Sequence, residues 1–341
     1  MNILDILRKN TDKNHPISQK EILDILGSEE YNMPIDRKAV KRNLMNLIDF
    51  GFDIKYSEST RMMPGKKRGK FEENYTASDF YIEPPFTDAE LRLLIDSLLF
   101  SKHLPYSHCK ELIEKLEGLS NKYFKSITKH IKTMPEKTPR NKQLFATIET
   151  LDKAITQRQQ VSFTYNEYGV DKKLHPRLNE NGKPREYVIN PYQIAATNGR
   201  YYLICNYDKY DNIAYYRLER ITNIKLLDTP IKSLKMIKGF EKGIDLPKHM
   251  AEHIYMFTGE SDTVTFRAKK YIISDIIDWF GTDVVFTNET KDEVTAKVKV
   301  NLQAMQYWAL QYMNHVRVVS PRKLVNAIKD NILQAAKNYK I

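Results

Sequence analysis

The sequence predicts a multidomain α+β protein of 341 residues. Its length suits two or three ordinary domains. Apolar residues repeat at helical spacing before residue 50 and again between residues 87 and 157, but they alternate as in short strands between residues 158 and 228. The last third mixes both periods. We therefore place domains at residues 1–82, 83–157, 158–228 and 229–341, as a helical domain with a hairpin, a helical connector, a small barrel and an α/β unit.

The composition excludes several classes of protein. Twelve glycines and 14 prolines are too few for a collagen-like or disordered chain, and no apolar run is long enough to span a bilayer. The N-terminus lacks the pattern of a signal peptide, so we expect a cytoplasmic protein. Two distant cysteines, Cys109 and Cys205, exclude a disulfide scaffold and a thiolate zinc site. The net charge of +11 suits a polyanionic partner.

The first 82 residues predict three helices followed by a β-hairpin. The first helix covers residues 2–9. Ser18 and Glu21 form a capping box that starts the second, and Asp36 is an N-cap for the third, which Gly51 ends. Residues 54–57 and 75–82 are expected to pair as strands, with a loop between them. This order predicts a winged helix-turn-helix.

Positive charge in this domain is concentrated on two elements. Residues 1–80 carry a net charge of only +1, yet nine of their fourteen basic residues lie on the third helix or in the hairpin loop, which includes Arg61. Such a helix would enter the major groove of duplex DNA, and the loop would contact phosphates or the minor groove. The candidate DNA-binding residues are Arg37, Lys38, Lys41, Arg42, Lys66, Lys67, Arg68 and Lys70.

The connector predicts helices at residues 87–99, 107–124 and 142–157, separated by prolines, and we interpret it as a spacer or dimerisation element. A cluster of His103, His108 and Cys109 lacks a fourth ligand, so we interpret these as ordinary surface and core residues rather than a metal site.

Residues 158–228 predict a small SH3-like or Sm-like barrel. Strands are expected at residues 161–165, 173–177, 187–197, 200–207, 213–218 and 224–227. Asn198 and Gly199 form the strongest dipeptide signal for a two-residue hairpin turn. Short strands joined by tight turns over about seventy residues are typical of such barrels.

Tyrosine is concentrated in the barrel. Eight of the 21 tyrosines fall between residues 187 and 216: Tyr187, Tyr192, Tyr201, Tyr202, Tyr207, Tyr210, Tyr215 and Tyr216. Four arginines accompany them: Arg185, Arg200, Arg217 and Arg220. Tyrosine packs well on pleated sheets, which explains its abundance without a ligand. Aromatic rings that stack on bases beside guanidinium groups that bind phosphates are the alternative explanation.

Two motifs in this region resemble the WYL domain of bacterial transcriptional regulators. The first runs from Asn190 to Ile194 and resumes from Asn198 to Leu203; the second runs from Tyr215 to Ile221. The Trp-Tyr-Leu triplet of that family falls on Tyr201-Tyr202-Leu203, so tyrosine replaces tryptophan at its first position. The winged helix and the helix beginning at Thr87 also resemble this family. The resemblance implies a homodimeric DNA-binding regulator whose barrel senses a nucleotide or short single-stranded nucleic acid.

The resemblance also implies a set of candidate ligand-binding residues in the barrel. They are Tyr165, His175, Tyr192, Arg200, Tyr201, Tyr202, Arg217 and Arg220. No cofactor or metal is expected.

Residues 229–341 predict a Lys-rich linker followed by strand, helix, strand, strand, helix, strand and a terminal helix. The first six elements are in ferredoxin-like order, and the unit resembles the C-terminal extension of WYL regulators. In that family the extension takes part in dimerisation and effector control. Trp279 and Trp308 lie in helical apolar patterns and are expected in the core.

We find no catalytic motif in the sequence. The stretch from Gly65 to Phe71 is one residue short of a phosphate-binding loop and lacks Ser or Thr after the lysine. The leading hypothesis is therefore a ligand-controlled, DNA-binding repressor without enzymatic activity. An RNA- or single-strand-binding accessory protein acting through the barrel is the alternative, and a nucleotide-acting enzyme is a third hypothesis.

Overall fold

The computed structural model describes residues 2–64, 71–101, 104, 106–124 and 143–340. The chain forms two compact units, Met1–Glu136 and Lys137–Ile341. Over the described ranges, no helix combines the length and apolar character needed to cross a lipid bilayer.

The first unit contains the three predicted N-terminal helices, a hairpin and two further helices. The helices are α1 (Asn2–Asn10), α2 (Gln19–Leu26), α3 (Arg37–Asp49), α4 (Asp88–Leu99) and α5 (Tyr106–Glu117). The antiparallel strands are β1 (Lys55–Pro64) and β2 (Phe71–Tyr81).

The predicted caps position the helices of this unit. The Ser18 side chain accepts a hydrogen bond from the Glu21 amide while the Glu21 carboxylate accepts one from the Ser18 amide, which completes the capping box. Asp36 caps α3 through the Ala39 amide at 2.7 Å. These caps satisfy amides that would otherwise lack partners. Ile22 and Leu44 then meet in a core that also holds Phe80 and the apolar face of α1; further members of that core are Ile6, Leu7, Leu26 and Val40.

Two boundaries in this unit differ from the sequence prediction. The hairpin strands are longer, so Arg61 lies in β1 rather than in the loop. Helix α5 ends at Glu117 instead of continuing to residue 124. The Asn121 side chain explains the early end, because it donates to the Thr11 carbonyl at 2.9 Å and accepts from the Tyr123 amide. Such side chain–backbone bonds compete with helical ones.

The second unit begins with α6 (Leu144–Gln157), which packs on a six-stranded sheet through Leu151 and Ala154. The strands are β3 (Gln159–Tyr168), β4 (Leu174–Pro176), β5 (Glu186–Thr197), β6 (Arg200–Asn206), β7 (Ala214–Arg217) and β8 (Ile221–Pro230). Their order is β4-β3-β5-β6-β7, and β8 pairs with β3. A 3-10 turn at Leu218–Arg220 joins β7 to β8. The strands lie where the sequence predicts them, whereas closure into a barrel stays a prediction.

The turn between β5 and β6 confirms the hairpin signal. Asn198 and Gly199 both have positive φ, 51° and 70°, and Thr197 pairs with Arg200 across the turn. Positive φ at both central residues is what a type I′ turn requires, and asparagine and glycine tolerate it best.

The segment expected to be a linker is ordered and packed. It contains a 3-10 turn at Leu234–Met236 and helix α7 (Leu246–Glu252). Ile237 and Met256 are buried with Ala195 and Ile204 of the preceding sheet. The prediction of a linker was wrong because these apolar residues are spaced too irregularly to reveal a helix or a strand.

The C-terminal part of this unit is a four-stranded antiparallel sheet with helices. The strands are β9 (Ser261–Lys269), β10 (Val285–Thr287), β11 (Glu293–Asn301) and β12 (Val316–Ser320). The helices are α8 (Ile273–Phe280), α9 (Leu302–Gln311) and α10 (Arg322–Asn338). The strand order β10-β11-β9-β12 is the one that a ferredoxin-like connection produces. Trp308 is fully buried, and Trp279 packs at the edge of the same core.

We expect Trp308→Ala to lower the free energy of unfolding of this unit by about 3–5 kcal/mol, because it would leave a cavity against Phe266 and Phe280. Trp279→Ala should lower it by clearly less, since its ring is only partly buried. Urea denaturation followed by circular dichroism compares the two variants. Equal losses would contradict this assignment of the core.

Candidate functional site

The first candidate surface is the solvent face of α3. Val40 and Leu44 point into the core and are fully buried, whereas the basic residues on the other side of the helix are exposed. Those exposed residues are the four predicted from the sequence: Arg37, Lys38, Lys41 and Arg42. The helical period therefore sorts a charged face from an apolar one.

One of these residues is held in place by neighbouring elements. The Arg37 Nε donates to Gln19 Oε1 at 3.3 Å, and the buried Gln19 amide donates to the Ala77 carbonyl of β2 at 3.0 Å. This chain of hydrogen bonds links α3, α2 and the hairpin. Arg37 is thus partly committed to the fold, while Lys38, Lys41 and Arg42 extend into solvent.

The predicted basic loop of the hairpin cannot be compared with the structure. Lys66, Lys67, Arg68 and Lys70 lie outside the described residues.

The second candidate site is a cluster of four tyrosines, three of them buried, in the first sheet of the second unit. We call Tyr165, Tyr187, Tyr207 and Tyr216 the tyrosine cluster. The Tyr165 and Tyr216 ring centroids lie 4.8 Å apart, and those of Tyr187 and Tyr216 lie 5.5 Å apart, both edge to face. The Tyr207 and Tyr216 hydroxyls are 2.5 Å apart. Edge-to-face contacts at these distances are favourable and hold the rings in fixed positions.

Two arginines cover this cluster. The Arg177 guanidinium lies 5.3 Å from the centre of the Tyr165 ring, and that of Arg185 lies 4.8 Å from the centre of the Tyr187 ring. Arg177 also pairs with Glu167, and both arginines are exposed. A guanidinium over an aromatic face is stabilised there and keeps its outward N–H groups for an anion.

A buried carboxylate lies beside the cluster. Glu219, in the 3-10 turn, is 5% exposed, and its Oε1 accepts from Arg217 Nε at 2.7 Å. Arg200 Nε approaches the same oxygen at 3.8 Å. The Arg217 amide also donates to the Tyr165 hydroxyl at 3.3 Å. Glu219 thus orients Arg217 at the edge of the tyrosine cluster, with Arg200 close to the same oxygen.

Two tyrosines of this cluster, Tyr165 and Tyr216, are neutral hydrogen-bonding groups. Burial raises the pKa of Tyr165, although the charges of Arg217 and Arg220 act against this. Burial also raises the pKa of Tyr216, and its hydrogen bond with Tyr207 adds to the effect. At neutral pH these two buried tyrosines therefore carry no negative charge that would repel a phosphate.

The structure separates the predicted ligand residues into groups. Tyr165 and Arg217 belong to the tyrosine cluster and its edge, and Arg200 joins them through Glu219. Arg220 lies over the Tyr168 ring at 5.7 Å. His175, in β4, is exposed and pairs with Asp171 of the preceding loop at 2.9 Å.

Two predicted ligand residues do not join this cluster. Tyr192 and Tyr202 pack instead against the apolar core shared with the segment before α7, and the Tyr192 hydroxyl donates to the Lys232 carbonyl at 2.9 Å. Tyr201 is half-buried and alternates with Tyr202 along β6. The candidate ligand residues did not include six residues of this site: Arg177, Arg185, Tyr187, Tyr207, Tyr216 and Glu219. Strand alternation around Tyr187 and the Arg-Leu-Glu-Arg sequence of the second motif could have indicated Tyr187 and Glu219.

Another tyrosine connects the same sheet to α7. The Tyr215 hydroxyl and His249 Nε2 are 2.7 Å apart, and the His249 and His253 rings stack with centroids 4.1 Å apart. Burial, with the nearby His253, lowers the pKa of His249 to about 4. His249 is therefore neutral at pH 7 and can accept the tyrosine hydrogen bond.

One known domain family matches part of the chain. Residues 146–226, from within α6 to β8, match the model of the WYL domain. No curated protein sequence matches the chain at a significant level.

Two solved structures show weak similarity. Proteasome accessory factor B/C (PafBC) of Arthrobacter aurescens is 13% identical with a TM-score of 0.27, over 99% of this chain and 48% of that one. A structure titled as a CRISPR Cas-related protein is also 13% identical, with a TM-score of 0.23, over 58% of this chain and 53% of that one. The chain spans about half the length of each.

We expect the stability of the second unit to fall as the pH drops from 6.5 towards 4. In this window the unfolded state binds a proton at His249 more readily than the folded state, whose imidazole has the lowered pKa. Allowing for solvent screening, the loss attributable to His249 between pH 7.5 and pH 5 should be about 1–2 kcal/mol. Urea denaturation at both pH values measures it.

The control for this experiment is His249→Gln, whose side-chain oxygen can still accept from Tyr215. This variant should show a smaller pH dependence over the same window, whatever its stability at pH 7.5. An unchanged pH dependence would show that His249 does not titrate as described.

Proposed function

We propose that the chain is a DNA-binding transcriptional regulator that acts in the cytoplasm as a homodimeric repressor, controlled by a nucleotide or short single strand bound at the WYL domain. The observation that carries the proposal is the exposed basic face of α3, opposite the fully buried Val40 and Leu44. A helix in this position of a helix-turn-helix reads base edges with its N-terminal residues while neighbouring basic residues bind phosphates.

The tyrosine cluster supports the second part of the proposal. Tyr207, its one half-buried member, offers aromatic surface for stacking at the edge of the cluster, and Arg185 and Arg217 supply guanidinium groups for a phosphate. Glu219 and Tyr165 hold Arg217 in place before a ligand arrives. A preorganised site of this kind loses little side-chain freedom when it binds.

Control requires that the ligand distinguish two arrangements of the dimer. A ligand shifts the equilibrium between DNA-competent and incompetent arrangements only by its difference in affinity for them. The Tyr215–His249 hydrogen bond is a direct contact between the WYL domain and α7. We propose no catalytic step.

The alternative function is binding of RNA or single-stranded nucleic acid through the WYL domain, with α3 secondary. The exposed guanidinium groups of Arg177 and Arg185 favour it, since positive charge beside aromatic residues is typical of sites that hold single strands. The two functions differ in which surface controls duplex binding.

We expect the double variant Lys38→Ala, Lys41→Ala to lose sequence-specific duplex binding. Loss of two phosphate contacts should reduce, by about 1.8, the steepness with which the logarithm of the association constant falls with the logarithm of the salt concentration. Fluorescence anisotropy with a duplex selected from a random pool measures both effects. The matched control is Lys110→Ala, Lys115→Ala, because these lysines are exposed on α5 and pair with Glu114 and Glu111 of the same helix. Duplex binding that survives in the α3 variant but is lost in Arg217→Ala would favour the alternative function.

We expect Arg185→Gln to weaken binding of a base-containing single strand of about ten nucleotides by about tenfold, as removal of one charge-assisted contact predicts. Arg185 is exposed, so the fold should tolerate the change. Lys225→Gln, an exposed cation on β8, is the control and should bind like the unmodified protein. Equal binding by all three proteins would contradict a ligand site at the tyrosine cluster.

Mass spectrometry of nucleotides incubated with the protein should detect no product.

A further inference from the structure

Among the described residues, helices cover one face of the C-terminal sheet, and α7 reaches the other face only at its Lys299 end. The side chains of β9 and β11 alternate strictly between two faces, and α8, α9 and α10 contribute to the core on only one of them. The inward residues are Val264, Phe266, Ala268, Val294, Ala296, Val298, Val300, Val316 and Val318. The outward residues form what we call the open face.

The open face is strongly cationic. Its residues are Thr263, Thr265, Arg267, Lys269, Val285, Thr287, Glu293, Thr295, Lys297, Lys299, Arg317 and Val319. They include five basic residues and one acidic residue. Lys269 pairs with Glu293 at 2.8 Å, and Lys299 pairs at 2.9 Å with Glu252 of α7 at the rim. Arg267, Arg317 and Lys297 have no acidic partner within ion-pair distance among the residues that the structure describes.

Two of these charges are placed unfavourably for stability. Arg267 and Arg317 are directly opposite each other in the antiparallel pairing of β9 and β12, and both are exposed. Like charges in opposite positions destabilise a sheet. Their charges also reach Glu293, whose pKa is held below its ordinary value first by the hydrogen bond from Lys269 and further by the two arginines. Stability of the sheet therefore does not explain this pair.

The chemistry of the face identifies its partner. Guanidinium groups bind phosphate oxygens in a fork geometry, and the flanking threonines are small hydroxyl donors that leave the arginines accessible. No aromatic ring is among the outward residues of these strands, so the face has no surface for stacking bases. Arg267 and Arg317, with Lys297 on the next strand, present positive charge across neighbouring strands rather than at one point.

We propose that the open face of the C-terminal sheet binds the phosphodiester backbone of a nucleic acid strand without reading its bases. This inference goes beyond the proposed function, because the face belongs neither to α3 nor to the WYL domain. Binding here would add affinity to whichever nucleic acid the chain holds elsewhere, and the contribution would weaken as salt rises.

The test uses the full chain and a dye-labelled abasic strand of about twenty units, which retains phosphodiesters but cannot stack on the tyrosine cluster. The variant is Arg267→Gln, Arg317→Gln. We expect at least about tenfold weaker binding at about 50 mM salt and a salt slope reduced by about 1.4, the value for two phosphates of a single strand. The thermal midpoint should stay unchanged or rise, since two opposed like charges are removed.

The control is Arg322→Gln, Lys329→Gln. These residues are exposed on α10, which packs against the inward side of the sheet. This control should bind the abasic strand like the unmodified protein. Equal binding and equal salt slope in both double variants would overturn the proposal. Binding of poly-L-glutamate that depends on Arg267 and Arg317, without binding of the abasic strand, would also overturn it and assign an acidic protein partner.

A second background separates this proposal from the proposed function. The same measurements are repeated in the Lys38→Ala, Lys41→Ala protein with the abasic strand and with a labelled duplex. If changing Arg267 and Arg317 in this background weakens binding of either probe, the open face binds nucleic acid independently of α3. If the α3 change leaves specific duplex binding intact while the sheet change still weakens the abasic strand, the proposed function fails and this inference stands.

Discussion

The alternation of side chains along β-strands is the constraint on which the second unit depends. Successive residues must point to opposite faces, so Tyr216 enters the tyrosine cluster while Tyr215 reaches His249 of α7. The same rule sends Phe266 into the C-terminal core and leaves Arg267 exposed. Neighbouring residues of one strand therefore lie on opposite faces of the sheet and contact different parts of the protein. The helical period does the same for α3, with Val40 inside and Lys41 outside.

The basic residues of the chain differ in whether a carboxylate pairs with them. This difference separates residues that stabilise the fold from those that we propose bind a ligand. Glu219 is a buried carboxylate that fixes Arg217, and it would be costly to leave unpaired. Pairs such as Lys110 with Glu114 are exposed and contribute little. The basic face of α3 and the pair of Arg267 and Arg317 are exposed and lie where phosphate could provide the missing negative charge. This shared property makes these two surfaces candidates for binding nucleic acid.

Much of the fold could be predicted from local sequence signals, because the capping residues Ser18 and Asp36 and the Asn198-Gly199 turn act through their nearest neighbours. The packed segment before α7 could not, since Ile237 and Met256 are buried only through contact with distant strands. The division of the tyrosines of the first sheet between two clusters was also not predicted. Composition shows how many tyrosines there are, but which ones meet depends on strand register, and β5 shifts its register between Pro191 and Gln193.

Arginine modification by phenylglyoxal, located by mass spectrometry with and without bound nucleic acid, tests the central claim that these surfaces hold phosphates. Duplex DNA should protect Arg42, a base-containing single strand should protect Arg185, and an abasic strand should protect Arg267 and Arg317. Arg322 should react equally in every sample. Protection that is absent at these positions, or no greater there than at Arg322, would contradict the account.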